Sequence, residues 1–103
     1  MIVYKVTYTV KQAFIAENQK NISAFMADFK QLGVNSFQYN VYQSEDIKTF
    51  IHLSHYMDEE IQQALLSVPS FVSFQEKRDA SGLEADPSIE VLHLVNSSND
   101  IIK

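Results

Sequence analysis

The sequence predicts an α+β fold in the order βαββαβ: a ferredoxin-like domain with a four-stranded antiparallel sheet, two copies of which form a dimeric α+β barrel. Three observations carry that expectation. The hydrophobic period switches between two and about 3.6 residues in that order along the chain. A short polar segment joins the two middle strands and makes them an antiparallel hairpin. The strands are apolar on both faces, yet one chain has helix enough to cover only one of them, so a second copy is the economical cover.

Residues 2–10 read as the first strand, with Ile2, Tyr4, Val6, Tyr8 and Val10 on one face and Val3, Lys5, Thr7 and Thr9 on the other. Over residues 13–32 the spacing becomes helical. Ile15, Ile22, Phe25, Met26, Phe29 and Leu32 form a stripe that Phe14 widens, and Lys20, Asp28 and Lys30 fall outside it. Gly33 follows at the position of a left-handed helix cap. Residues 34–43 and 48–57 are the middle strands, separated by Ser44-Glu45-Asp46. Asp58-Glu59-Glu60 supplies a cap and two acids for a helix N-terminus. Pro69 breaks that helix near 67–69 and suits the first turn of a second piece, which carries Phe71, Val72 and Phe74 to about Arg78. Residues 79–88 read as a long loop and 89–95 as the last strand. The whole is one domain, 1–96, with a polar tail at 97–103.

Composition bounds the function. Of 103 residues, 46% are hydrophobic, including seven Phe and five Tyr, a heavy apolar load for a small monomer. The net charge of −5 and the lack of a basic patch argue against nucleic-acid binding. There is no cysteine, which excludes disulfides, thiolate nucleophiles and Cys-ligated zinc. The start of the chain reads as a strand rather than a signal peptide, and no run of about 18 apolar residues offers a membrane span. A cytoplasmic location follows as the expectation.

The chemistry-bearing residues are few. His52 and His55 lie three apart on one strand and point to opposite faces, so a regular strand cannot bring them to one metal. Each alone is a candidate general base. His55, beside Ile51, Leu53 and Met57, reads as a pocket residue between sheet and helices or as a core-edge His bonded to a carbonyl. His52 reads as an interface His. His93 sits between Val91 and Val95, structural or pocket-lining. Tyr39, Tyr42 and Tyr56 are donors for an aromatic or quinone-like ligand, or interface residues. Asn18 falls on the buried stripe of the first helix, facing a ligand cavity or bonding a loop. Arg78 reads as a solvated charge ending its helix, with anion steering as the alternative. No nucleophilic triad or Gly-rich phosphate loop is present; Gly33 and Gly82 are the two glycines.

The run from Phe50 to Glu60, an apolar strand ending in the aromatic Tyr56 and leading into an acidic helix start, resembles the antibiotic biosynthesis monooxygenase family of the dimeric α+β barrel superfamily. Pro69-Ser70-Phe71, about ten residues on, matches that family's Pro followed by an aromatic. The element order agrees over nearly the whole chain, and the motif spans residues 50–74. The resemblance implies a homodimer and a small oxygenase, without metal or organic cofactor, acting on an aromatic or quinol-like substrate. It implies His55 or His52 as base and Tyr56 as orienting donor. The sequence also departs from the family. Tyr56 stands where Trp is usual and Ser54 where Glu is often found, and Leu65 and Ser70 replace histidines. The haem-degrading branch uses an Asn on the first strand, a Trp and a helix-2 His, none of which occurs here. Two other functions stay open beside the enzyme: a binding module for a small apolar ligand, and a structural homodimer whose aromatics are core.

Overall fold

The computed structural model describes residues 1–33 and 35–102. Its elements are β1 (Ile2–Thr9), a 3₁₀ turn (Gln12–Phe14) running into α1 (Ile15–Gln31), β2 (Phe37–Gln43), β3 (Thr49–Tyr56), α2 (Glu59–Leu66), α3 (Pro69–Ala80) and β4 (Ala85–Leu92). The predicted order therefore holds. The expected start of the second strand at Val34 lies outside the described residues.

All neighbouring strands pair antiparallel, in the order β2-β3-β1-β4. This corrects the expected barrel. β2 and β4 are the two open edges of the sheet, with two strands between them. At the usual spacing the edges stand roughly 14 Å apart, and the twist of four strands does not close that gap.

Local chemistry explains the helix boundaries. Asp58 Oδ1 accepts from the Ile61 amide at 2.9 Å and so caps α2, with Glu59 and Glu60 in the first turn. Val68 is extended and Pro69 opens α3, so the helical stretch breaks where the proline requires it. Gly33 adopts φ 66° just past α1. The β2–β3 turn is held by Asp46, whose carboxylate accepts from the Lys48 and Thr49 amides and the Thr49 hydroxyl. Within that turn Ile47 takes φ 61°, an uncommon value for a β-branched residue.

The last strand starts earlier than expected. Pairing with β1 runs from Val3↔Leu92 to Thr9↔Ala85, with a register shift between Thr7 and Thr9, so the length of β1 draws Ala85-Asp86-Pro87 into the ladder. Pro87 is tolerated because β4 is an edge. The long loop shrinks accordingly, and His93 falls beyond the strand.

Register assigns the faces. Tyr4, Val6 and Tyr8 of β1 and His52, Ser54 and Tyr56 of β3 share the helix-covered side with Phe37, Tyr39 and Val41 of β2. Under α1 and α3 the core packs Tyr8, Phe25, Phe29, Phe50, Phe71 and Phe74. Phe25 alone has the rings of Phe29, Tyr39, Phe71 and Phe74 with centroids 5.0–5.6 Å away. The outer face is mixed rather than continuously apolar. Val3, Tyr42, Ile51, Leu53 and Leu92 alternate with Gln38, Asn40, Thr7 and a Lys5–Glu90 pair at 3.8 Å. On the helix side the helices stop short of β4, which leaves Ile89 66% and Val91 59% exposed.

Candidate functional site

A cavity of about 310 Å³ opens between the sheet and the α2–α3 pair. Tyr4, Val6, Tyr39, His52, Ser54 and Tyr56 form its floor. Gln62 and Leu66 of α2 and Phe71, Phe74, Gln75 and Arg78 of α3 form its walls, and Pro87 and Ile89 of β4 its rim. Two phenylalanines and three tyrosines make it a slot for a flat apolar body, while Tyr39, Tyr56 and Arg78 supply polar groups. No carboxylate is among the lining residues.

His52 is the centre of a buried polar chain. Asn18 Nδ2 donates to the Tyr8 hydroxyl at 3.0 Å, and that hydroxyl lies 2.7 Å from His52 Nε2. On the other side of the ring, Nδ1 lies 2.7 Å from the Tyr39 hydroxyl. Both imidazole nitrogens are thus occupied by phenols. Burial, reinforced by the positive charge of Arg78, pulls the His52 pKa down to about 3, so the ring is neutral at ordinary pH. Burial likewise pushes Tyr8 up to about 12 and raises Tyr39 and Tyr56, which keeps all three phenols protonated.

Arg78 is the cation of the site. Its guanidinium stacks over the rings of Tyr8 at 5.2 Å and Phe74 at 5.4 Å, and its Nε donates to Asp79 Oδ1 at 3.0 Å. The expected solvated helix-end charge is corrected: Arg78 is only 8% exposed. It lies on one helical stripe with Phe71 and Phe74, at spacings of three and four residues, and that spacing is the sequence signal that finds it.

Other expectations change with the faces. His55, expected between sheet and helices, lies on the outer face with its Nδ1 buried and unpartnered among the described residues, and burial lowers its pKa. His52 is the histidine that faces the helices instead. β3 carries large apolar groups at both parities, so its own sequence could not choose between them. His93 is exposed and stands outside the cavity. Tyr42 is exposed on the outer face. Asn18 is fully buried and bonds Tyr8 rather than a loop, and it does not line the cavity. Tyr39 and Tyr56 both line it. Tyr8 was not expected in the site; its role depends on partners 10 and 44 residues away. Among the described residues, no three His, Cys, Asp or Glu side chains gather as metal ligands, and no helix is long and apolar enough to cross a membrane.

No family model matches the chain, and no curated protein matches it. Solved structures do. An antibiotic biosynthesis monooxygenase superposes with TM-score 0.79 at 11% identity, covering 93% of this chain and 100% of that one. Rv0793 from Mycobacterium tuberculosis gives 0.77 at 10%, covering 95% and 98%. A point variant of SnoaB, a cofactor-independent oxygenase from Streptomyces nogalater, gives 0.72 at 14%, covering 96% and 97%. At these identities the likeness establishes a shared fold over nearly the full length of each chain.

Proposed function

We propose that this protein is a small oxygenase that binds a planar quinol or polyhydroxylated aromatic in the cavity and adds one atom of dioxygen to it. The observation that carries this reading is the lining itself. A buried arginine and two phenol donors meet aromatic walls, and Asp79, the carboxylate paired with Arg78 Nε, is not among the lining residues. Such a site favours an ionised oxygen on a flat ring. The fold shared with a cofactor-independent oxygenase supports the same reading.

The reaction balances without a further reductant. A quinol plus dioxygen yields a hydroxyquinone plus water: one oxygen atom enters a ring C–H bond, the other leaves as water, and the ring supplies all four electrons. Arg78 stabilises the ring-oxygen anion, and Tyr39 and Tyr56 orient it. The role first expected of His52 changes. A histidine with a pKa of about 3 and both nitrogens occupied is a poor base, so the acidity comes from the substrate held against Arg78. His55, on the outer face, takes no part.

The test is turnover of naphthohydroquinone under isotopically labelled dioxygen. One labelled atom per hydroxynaphthoquinone, formed faster than without protein, is the expected result. Product and label indistinguishable from the protein-free control would overturn it. Binding without turnover would favour a carrier or sensor, the reading that the occupied histidine supports. A homodimer through the outer face, with Ile51 and Leu53 central, is part of the same proposal.

A further inference from the structure

We infer that Asn18 is a positioning residue: its side-chain amide sets the direction of the buried hydrogen-bond chain, so that Tyr39 presents its proton, rather than its lone pair, to the cavity. Asn18 does not line the cavity, and the inference rests on reading that cavity as the ligand site.

Asn18 is fully buried, its Nδ2 donates to Tyr8, and its Oδ1 has no partner among the described residues. In the observed sense one amide N–H and the carbonyl oxygen lack recorded partners; turned over, both N–H donors would lack them, the costlier arrangement. Asn21, one turn further along α1, agrees with the observed sense. Its Nδ2 is likewise buried and unpartnered among the described residues, so Asn21 gives the Asn18 amide no reason to reverse.

From there the direction follows from giving each buried donor an acceptor. The Tyr8 oxygen receives the Asn18 proton, and among the described residues the acceptor recorded within reach of its own proton is His52 Nε2. A neutral imidazole carries one N–H. With Nε2 accepting, that proton sits on Nδ1 and goes to the Tyr39 oxygen. The Tyr39 proton is then left for the cavity. A donor at that point, with the Arg78 cation nearby, selects carbonyl and anionic oxygens over N–H groups. Asn18 thus acts on ligand choice through two intervening side chains.

The tautomer of His52 reports the direction without reference to any ligand. Long-range proton–nitrogen correlation spectra of the wild-type protein should show Nδ1 protonated and Nε2 bare; a proton on Nε2 would overturn the inference. In Asn18→Leu the tautomers should mix. An unchanged single tautomer there would also overturn it. If Asn18→Leu fails to fold, the wild-type tautomer alone decides the inference, with a proton on Nε2 as its refutation. Selectivity is read with fluorenone and carbazole, two flat three-ring probes that offer a carbonyl and an N–H in one outline. Wild-type protein should prefer fluorenone by about tenfold, and Asn18→Leu by about threefold or less. Equal narrowing in Gln75→Leu, a cavity change outside the chain, would refute the assignment. Failure of both probes to bind would remove the proposed function, while the tautomer still decides this inference.

Discussion

The Tyr8 hydroxyl lies 2.7 Å from His52 Nε2, although the two residues are 44 apart in the chain. Both come from adjacent central strands, and α1 closes over them. This contact fixes what His52 can do, and its consequences can be measured.

His52 makes stability depend on pH. Its pKa is 6.5 when unperturbed and about 3 in the fold. Between those values the unfolded chain binds the extra proton. Stability is therefore full above pH 6.5 and is lost as pH falls toward 3, by up to about 1.4 kcal/mol per unit. Burial lowers His55 in the same sense. Urea unfolding should weaken by about 2 kcal/mol from about pH 7 to about pH 5, and His52→Gln should flatten that slope. A slope unchanged in His52→Gln would contradict the buried neutral ring.

Ile47 stores strain in the β2–β3 turn. It is β-branched, holds φ 61° and is 52% exposed, so little packing repays the conformation. Ile47→Asn or Ile47→Gly should raise unfolding stability by about 1 kcal/mol. A lower thermal midpoint in both variants would contradict the turn geometry.

Phe25 is the most enclosed ring of the core, and truncation leaves a cavity under α1 and α3. Phe25→Ala should cost about 3–5 kcal/mol, much of the margin of a chain this size. Chemical denaturation gives the value, and a loss under 1 kcal/mol would show that the helices repack.

The proposed homodimer should appear by light scattering as twice the chain mass at micromolar concentration. Leu53→Lys, on the outer face, should shift it to monomer while leaving the circular dichroism spectrum unchanged. A monomeric wild-type protein would remove that part of the proposal.

Much of the fold was legible in the chain. The periods gave the element order, Asp58 the start of α2, and Pro69 the break before α3. The face assignment was not legible. His52 and His55 have opposite parity in a strand apolar at both, and the choice depends on Tyr8 and Tyr39, which only the folded register brings alongside. The early start of β4 was hidden because Asp86 and Pro87 are poor strand formers, and pairing along β1 overrides that preference at an edge. The expected barrel does not form. Apolar residues at both parities do occur, but Lys5, Gln38, Asn40 and Glu90 interrupt the outer face, and four strands leave the sheet open. Arg78 was legible in retrospect as a cation on the stripe of Phe71 and Phe74.

The proposed function has the cavity hold an anionic oxygen on a flat ring against Arg78. Equilibrium titration with the hydroxynaphthoquinone anion tests it most directly, comparing wild-type protein with Arg78→Met, which keeps the stem and removes the charge. Wild-type protein should bind, and Arg78→Met should lose affinity by about tenfold to a hundredfold, with its fold unchanged. Equal affinities in the two proteins would contradict it.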